Sequence, residues 1–235
     1  MLGYRMSLFR WVTLVSGLME CLCYSGIYLG WTSLVFILKT EGYFSDLCLN
    51  TTGANSTVFT DCSAQDSQLS LVITIGMWMS AVLSFPMGFI FDNLGTMVTR
   101  ILSISIHTTG SLLLAFSSRE LPLLIFPAVS CHAVAGLVLL TTNMQTSNLF
   151  GSHRSIIITL YSGIFDSSQV IFLIIKVLYE NGISLRSSFL FMAACSVIHL
   201  LQTFLLLPKT HIPYPLPEDY TYGYKLQLPH CTYIH

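Results

Sequence analysis

Charge is what this chain has least of. Of its 235 residues only 9% are Asp, Glu, Lys or Arg, against about a quarter in a soluble domain. That shortfall excludes an ordinary water-facing surface. The formal net charge of −1 excludes the basic face that nucleic-acid binding requires. No His/Cys group has the spacing of a zinc site, since Cys21 and Cys23 make only a C-x-C pair. No motif favours enzymatic chemistry, so neither a cofactor nor a metal is expected. A signal peptide with a small-residue cleavage site is also lacking: the first apolar run, 11–38, is too long for a signal core and reads as a membrane span. The period-2 alternation of a barrel strand is absent as well.

What is present is apolar. Hydrophobic residues make up 53% of the chain, with a mean hydropathy of +0.70. Six runs approach the ~20 residues needed to cross a bilayer: 11–38, 69–91, 98–117, 121–142, 155–178 and 186–207. Backbone in lipid must satisfy its own hydrogen bonds, so these are read as helices. The fold class expected is all-α, a polytopic six-helix bundle over 11–207 between a short N-terminus, 1–10, and a tail, 208–235.

One connection is long and polar, 39–68. It carries two glycosylation sequons, at Asn50 and Asn55, bracketed by Cys48 and Cys62. Sequons and a cysteine pair in one loop favour the extracellular side, with a Cys48–Cys62 disulfide. Arg5, Arg10, Arg100, Arg154, Lys209 and Lys225 then fall inside, a weak positive-inside bias that leaves both termini cytoplasmic. Cys21, Cys23, Cys131 and Cys195 lie in apolar runs and read as packing residues. The Pro/Tyr-rich tail has the composition of a linker that packs no core.

Two spans carry polar stripes. Over 155–180, Ser155, Thr159, Ser162, Asp166, Gln169, Lys176 and Glu180 recur at helical spacing and fall within an arc of about 100°. Asp166 is near the middle of that span. A carboxylate there costs at least about 2.5 kcal/mol, which usually marks a site or a pathway. In the first span Thr13, Ser16, Glu20, Tyr24, Tyr28 and Trp31 share a face, and Gly26 and Gly30 form a GxxxG that lets another helix approach. A carboxylate with aromatics suits a planar, hydrogen-bonding solute; helix packing or interfacial anchoring explains the aromatics equally well. The run 141–148 of amides and hydroxyls is either an inner vestibule or an interfacial helix end. His107, His132 and His199, isolated in apolar runs, read as helix-to-helix hydrogen-bonders.

Gly88-Phe-Ile-Phe-Asp92-Asn93-Leu94-Gly95, followed by Arg100, has the form G-x-x-x-D-x-x-G with a downstream base. It resembles the signature between the second and third helices of the major facilitator superfamily, except that position 93 is Asn where a base is usual. The resemblance implies that Gly88 and Gly95 permit close helix approach, and that Asp92 serves fold and gating together with a basic residue, here Arg100. More of the chain resembles solute carrier family 43: Glu20-Cys21-Leu22, Trp31-x-Ser33-Leu34-Val35-Phe36, Tyr43-Phe44-x-Asp46-Leu47-Cys48, Phe150-Gly151-x-His153-Arg154-Ser155, Phe165-Asp166-Ser167-Ser168 and His211-Ile-Pro-Tyr-Pro-Leu-Pro217. The likeness runs to about Gly223, and the sequence diverges from Tyr224 onward. It implies the N-terminal half of a twelve-span major facilitator fold in the plasma membrane, with facilitated diffusion of purine nucleobases (adenine, guanine, hypoxanthine). Other members of that family carry large neutral amino acids. The solute wall expected is Glu20, Tyr24, Tyr28, Asp166 and Gln169. Partners expected are the solute, the bilayer, and a missing second half or a full-length copy; a half-length chain without transport of its own is the alternative.

Overall fold

The computed structural model describes residues 2–52, 58–217 and 220. Its helices gather into four stretches long and apolar enough to cross a membrane: Leu8–Thr40, Ser63–Phe116, Pro122–Glu180 and Leu185–Leu206. This differs from six separate helices, and the difference lies in two glycines. The 54-residue helix α3, Ser63–Phe116, would reach about 80 Å if straight, far beyond a bilayer core of ~30 Å. It is broken at Gly95, whose φ of 80° lies in the left-handed region that a residue without Cβ adopts freely. The chain doubles back there. Gln65 near the start of α3 donates to the Tyr43 carbonyl at 2.7 Å, and Ser117 just past its end bonds the Tyr43 hydroxyl at 2.7 Å.

The 59-residue stretch is likewise composite. It contains α4, Ile125–Met144, a 3₁₀ segment Gln145–His153 broken at Gly151 (φ 49°), α5, Arg154–Ser167, and α6, Val170–Glu180. Its two ends also return to one place: Phe126 packs edge-on to Phe44, and Lys176 Nζ lies 4.1 Å over the Phe36 ring.

The first stretch is not a uniform helix either. α1, Leu2–Glu20, passes through a π-helical turn, Cys21–Ser25, and a 3₁₀ turn, Ile27–Gly30, into α2, Trp31–Thr40. Neighbours crowd this irregular centre. A Cβ on Gly26 would collide with the Phe165 carbonyl and Ser168, and one on Gly30 with the Gln169 carbonyl and Phe172. The GxxxG therefore seats the α5–α6 junction. α7, Leu185–Ala194, and α8, Ser196–Leu206, close the bundle. Its main core draws on every long stretch, with Leu34, Leu69, Leu114, Ile125, Phe172 and Phe189 buried together.

At one end of the bundle, β1, Leu49–Thr52, pairs antiparallel with β2, Val58–Asp61, with Leu49 opposite Asp61. The Cys48–Cys62 disulfide closes the hairpin. Asp61 Oδ1 accepts from the Ser63 N–H at 2.9 Å, which holds that exposed carboxyl below its usual range. The side chain of Asn50 and all of Asn55 lie outside the described residues. At the other end the tail does not behave as a free linker. Ile212 is buried against Leu149 beside Phe9 and Phe150. A Pro/Tyr-rich segment builds no core of its own, but the bundle offers this one an apolar seat.

Candidate functional site

Glu20, the last residue of α1, sits where the helix loosens, at 4% exposure. Three other helices converge on its carboxylate. Arg100 of α3 donates through Nη2 to both oxygens at 2.6 Å. Asn143 of α4 donates to Oε2 at 2.6 Å, and His199 Nδ1 of α8 meets Oε1 at 2.7 Å. With a carboxylate as partner, that nitrogen carries the proton. Arg100 is fully buried and spends its other donors on Thr203 at 2.9 Å and Thr142 at 3.2 Å. Every charge in the cluster is thus paired and hydrogen-bonded, the condition under which buried charge is tolerated.

This corrects two expectations. Arg100 is not the basic partner of Asp92. After the reversal at Gly95 it stands about a turn and a half into the returning helix, facing inward, while Asp92 is exposed. Nor is Glu20 free to accept from a solute, because both its oxygens are engaged. The run 141–148 is neither vestibule nor interface: Thr142, Asn143, Gln145, Thr146 and Ser147 are buried, and Thr146 bonds Tyr161 at 2.9 Å. Its Thr142 and Asn143 answer the buried charges of Arg100 and Glu20. The histidines divide. His199 is a helix-to-helix hydrogen-bonder as expected, but His107 and His132 find no hydrogen-bond partner among the described residues. They pack as rings, 4.6 Å apart between centroids, with His107 5.4 Å from Tyr24.

Tyr24 stands edge-on to His199 at 4.0 Å. Together with Glu20, Ser16, His199 and Gln202 it lines a cavity of about 470 Å³ between α1 and α8. Tyr28 belongs elsewhere. It is buried, edge-on to Phe165 at 6.3 Å, and within electrostatic reach of Asp166. The five residues expected to form one wall are therefore split between Glu20 with Tyr24, and Tyr28 with Asp166 and Gln169.

The second group lies on an open face. Thr159, Ser162, Asp166 and Gln169 are all exposed along α5 and its junction with α6. Among the described residues no side chain pairs with Asp166. Lys176, farther along the stripe, is engaged with Glu180 at 3.8 Å. Of the signature glycines, Gly88 has open space where its side chain would be, so it brings no helix close. Gly95 is approached most closely by the tail backbone at Lys209 and Thr210.

Apolar helices of spanning length, a charge cluster sealed inside them and a polar face left open define a polytopic membrane protein of the transporter type. The chain belongs to the Major Facilitator Superfamily, whose family model matches residues 21–221. It is 48% identical over 217 residues to Equilibrative nucleobase transporter 1 of Bos taurus, an alignment covering 92% of this chain and 44% of that protein. It is 32% and 31% identical to Large neutral amino acids transporter small subunit 3 of Mus musculus and Homo sapiens, over 92% and 93% of this chain and 40% of each relative. The chain thus spans less than half the length of these curated relatives. No solved structure gives a significant match.

Proposed function

We propose that this chain forms one half of a facilitative transporter for purine nucleobases. The observation that carries the substrate class is the 48% identity to a nucleobase transporter, against 32% and 31% to amino-acid transporters. Chemistry agrees. The open stripe offers a carboxylate at Asp166 and an amide at Gln169, which accept from and donate to the edge of a base, while Tyr28 packs behind the stripe against Phe165. Adenine, guanine and hypoxanthine all present such edges. Gly95 and Gly151 divide the two longest stretches into hairpins, giving six crossings over 11–207. Both termini are cytoplasmic, and the disulfide-closed hairpin, with sequons at Asn50 and Asn55, is on the outer face of the plasma membrane. Asp92 serves fold and gating. A solute pathway of this superfamily runs between two halves that rock about a central site, so the stripe requires a second wall. That wall comes from a second half or from a full-length copy.

Glu20 has a positioning role in this reading. Fastened to Arg100, Asn143 and His199, it holds α1, α3, α4 and α8 as one body that moves together. A second reading, a carrier of large neutral amino acids, draws on the 32% and 31% relatives; a half-length chain with no transport of its own is the third. Uptake of labelled adenine and of labelled leucine separates them. The assay uses cells expressing either this chain alone or a chimera of residues 1–217 with the second half of the bovine relative. The chimera is expected to take up adenine and not leucine. Leucine uptake without adenine uptake would contradict the proposal, and a chimera that reaches the surface and takes up neither identifies the third case, a half that supports no transport.

A further inference from the structure

Residues 208–217 leave α8 and run back across the end of the bundle opposite the hairpin. Their contacts are directional. The Lys209 carbonyl accepts from the Met97 N–H at 3.2 Å, and the Thr210 carbonyl from the Thr96 hydroxyl at 3.0 Å. The Ile212 carbonyl accepts from the Asn148 amide at 2.8 Å, and the Ile212 N–H donates to Gln145 Oε1 at 3.0 Å. The Ile212 side chain is buried, and the Arg154 guanidinium lies 4.7 Å over the Tyr214 ring. Four bonds from three residues thus reach both chain reversals, the one at Gly95 and the one leading to Gly151.

Helix geometry explains the demand for such a segment. Met97 lies in the first turn after the break at Gly95, where backbone N–H groups have no acceptor within their own helix. The tail supplies one. Gly95 makes room for it: beyond its φ of 80°, a Cβ there would stand 2.8 Å from the Lys209 carbonyl oxygen and 3.3 Å from the Thr210 Cα. Pro213 and Pro215, both beyond Ile212, have no N–H to satisfy, so the chain leaving the anchor carries fewer donors that need a partner.

We propose that residues 209–214 are a strap, bound in cis in a groove built from Gly95–Met97, Gln145, Asn148 and Arg154, which clamps the two reversals together, and that Gly95 lacks a side chain in order to seat it. Backbone hydrogen bonds supply the grip and one apolar side chain the register, the logic by which proteins hold extended peptides. This rests on the transporter reading only for its consequence. Chain continuing toward a second half is fixed to this half as far as Tyr214, and relative motion of the halves is taken up beyond it.

Hydrogen exchange of the purified whole chain in detergent, read by mass spectrometry on fragments containing Met97 and Ile212, tests the strap without reference to transport. Both amides are expected to exchange slowly in the unaltered chain. Ile212→Asp, outside every helix, should speed exchange at Met97 by at least about tenfold, local opening being the event reported. Gly95→Ala should do the same at Ile212. Fragments of α2 should not change in either variant. Ile212 exchanging at the rate of a free peptide in the unaltered chain would overturn the proposal, as would an unchanged Met97 in Ile212→Asp. A chain that fails to transport yet shows the expected exchange keeps the strap and loses only the functional reading.

Discussion

At the scale of single residues, Glu20 and Arg100 tie α1 to α3 through a buried ion pair. They are 80 positions apart in sequence and within 2.6 Å in space. Removing one partner of a buried pair strands the other, at about 3–5 kcal/mol. Glu20→Gln or Arg100→Met alone should therefore lower the melting temperature in detergent by about 10 °C. The double substitution should recover much of that loss, because it leaves no charge unpaired. Single variants melting with the parent chain would mean that the pair is not closed in the folded protein. Glu20 stood out in the sequence as a carboxylate in an apolar span, and Arg100 as the base that follows the glycine signature. Their pairing did not, since nothing local to residue 20 or residue 100 encodes the other. Asp166 and Gln169 were legible because a stripe is a local, periodic property of one helix. Asn143, which supplies Glu20 with a hydrogen bond, looked like part of a polar helix end and carried no signal of its own.

At the scale of elements, the apolar runs were legible to within a few residues, but their continuity was not. A break at Gly95 or Gly151 is a backbone event, and a glycine in sequence does not say whether the chain turns, pauses or is approached there. Gly26 and Gly30 were the exception, because their spacing announced a helix contact and α5–α6 fills it. Gly26→Leu should separate the first stretch from the α5–α6 junction, at a cost of about 3 kcal/mol or more for overpacking against backbone. Gly163→Leu is the comparison, since nothing lies within 4 Å of that position. Thermal unfolding should fall for the first and hold for the second. Equal losses would mean that the close approach at Gly26 is not part of the folded bundle. The tail defeated sequence reasoning for a related reason: a proline-rich segment cannot build a core, yet it can complete one.

At the scale of the whole molecule, topology and pathway go together. If the hairpin is outside, glycosidase treatment of the chain expressed in mammalian cells should reduce its apparent mass, and Asn50→Gln with Asn55→Gln should abolish the shift. An intact pair of sequons with no shift would put the hairpin inside and reverse every crossing. Asp166 sits on the open face with no side-chain partner among the described residues, while both oxygens of Glu20 are engaged by Arg100, Asn143 and His199, so the proposed function assigns the solute contact to Asp166. The direct measurement is adenine uptake by the chimera of residues 1–217 with the second half of the bovine relative, comparing Asp166→Asn with Asp92→Asn at matched surface expression. A charged hydrogen bond is worth about 1.5–3 kcal/mol, so Asp166→Asn should cut uptake at least about tenfold. Asp92→Asn should slow turnover while leaving the ranking of purines unchanged. Normal uptake by an Asp166→Asn protein that reaches the surface would contradict the account, and Asp166 would be a polar residue on a face that binds no base.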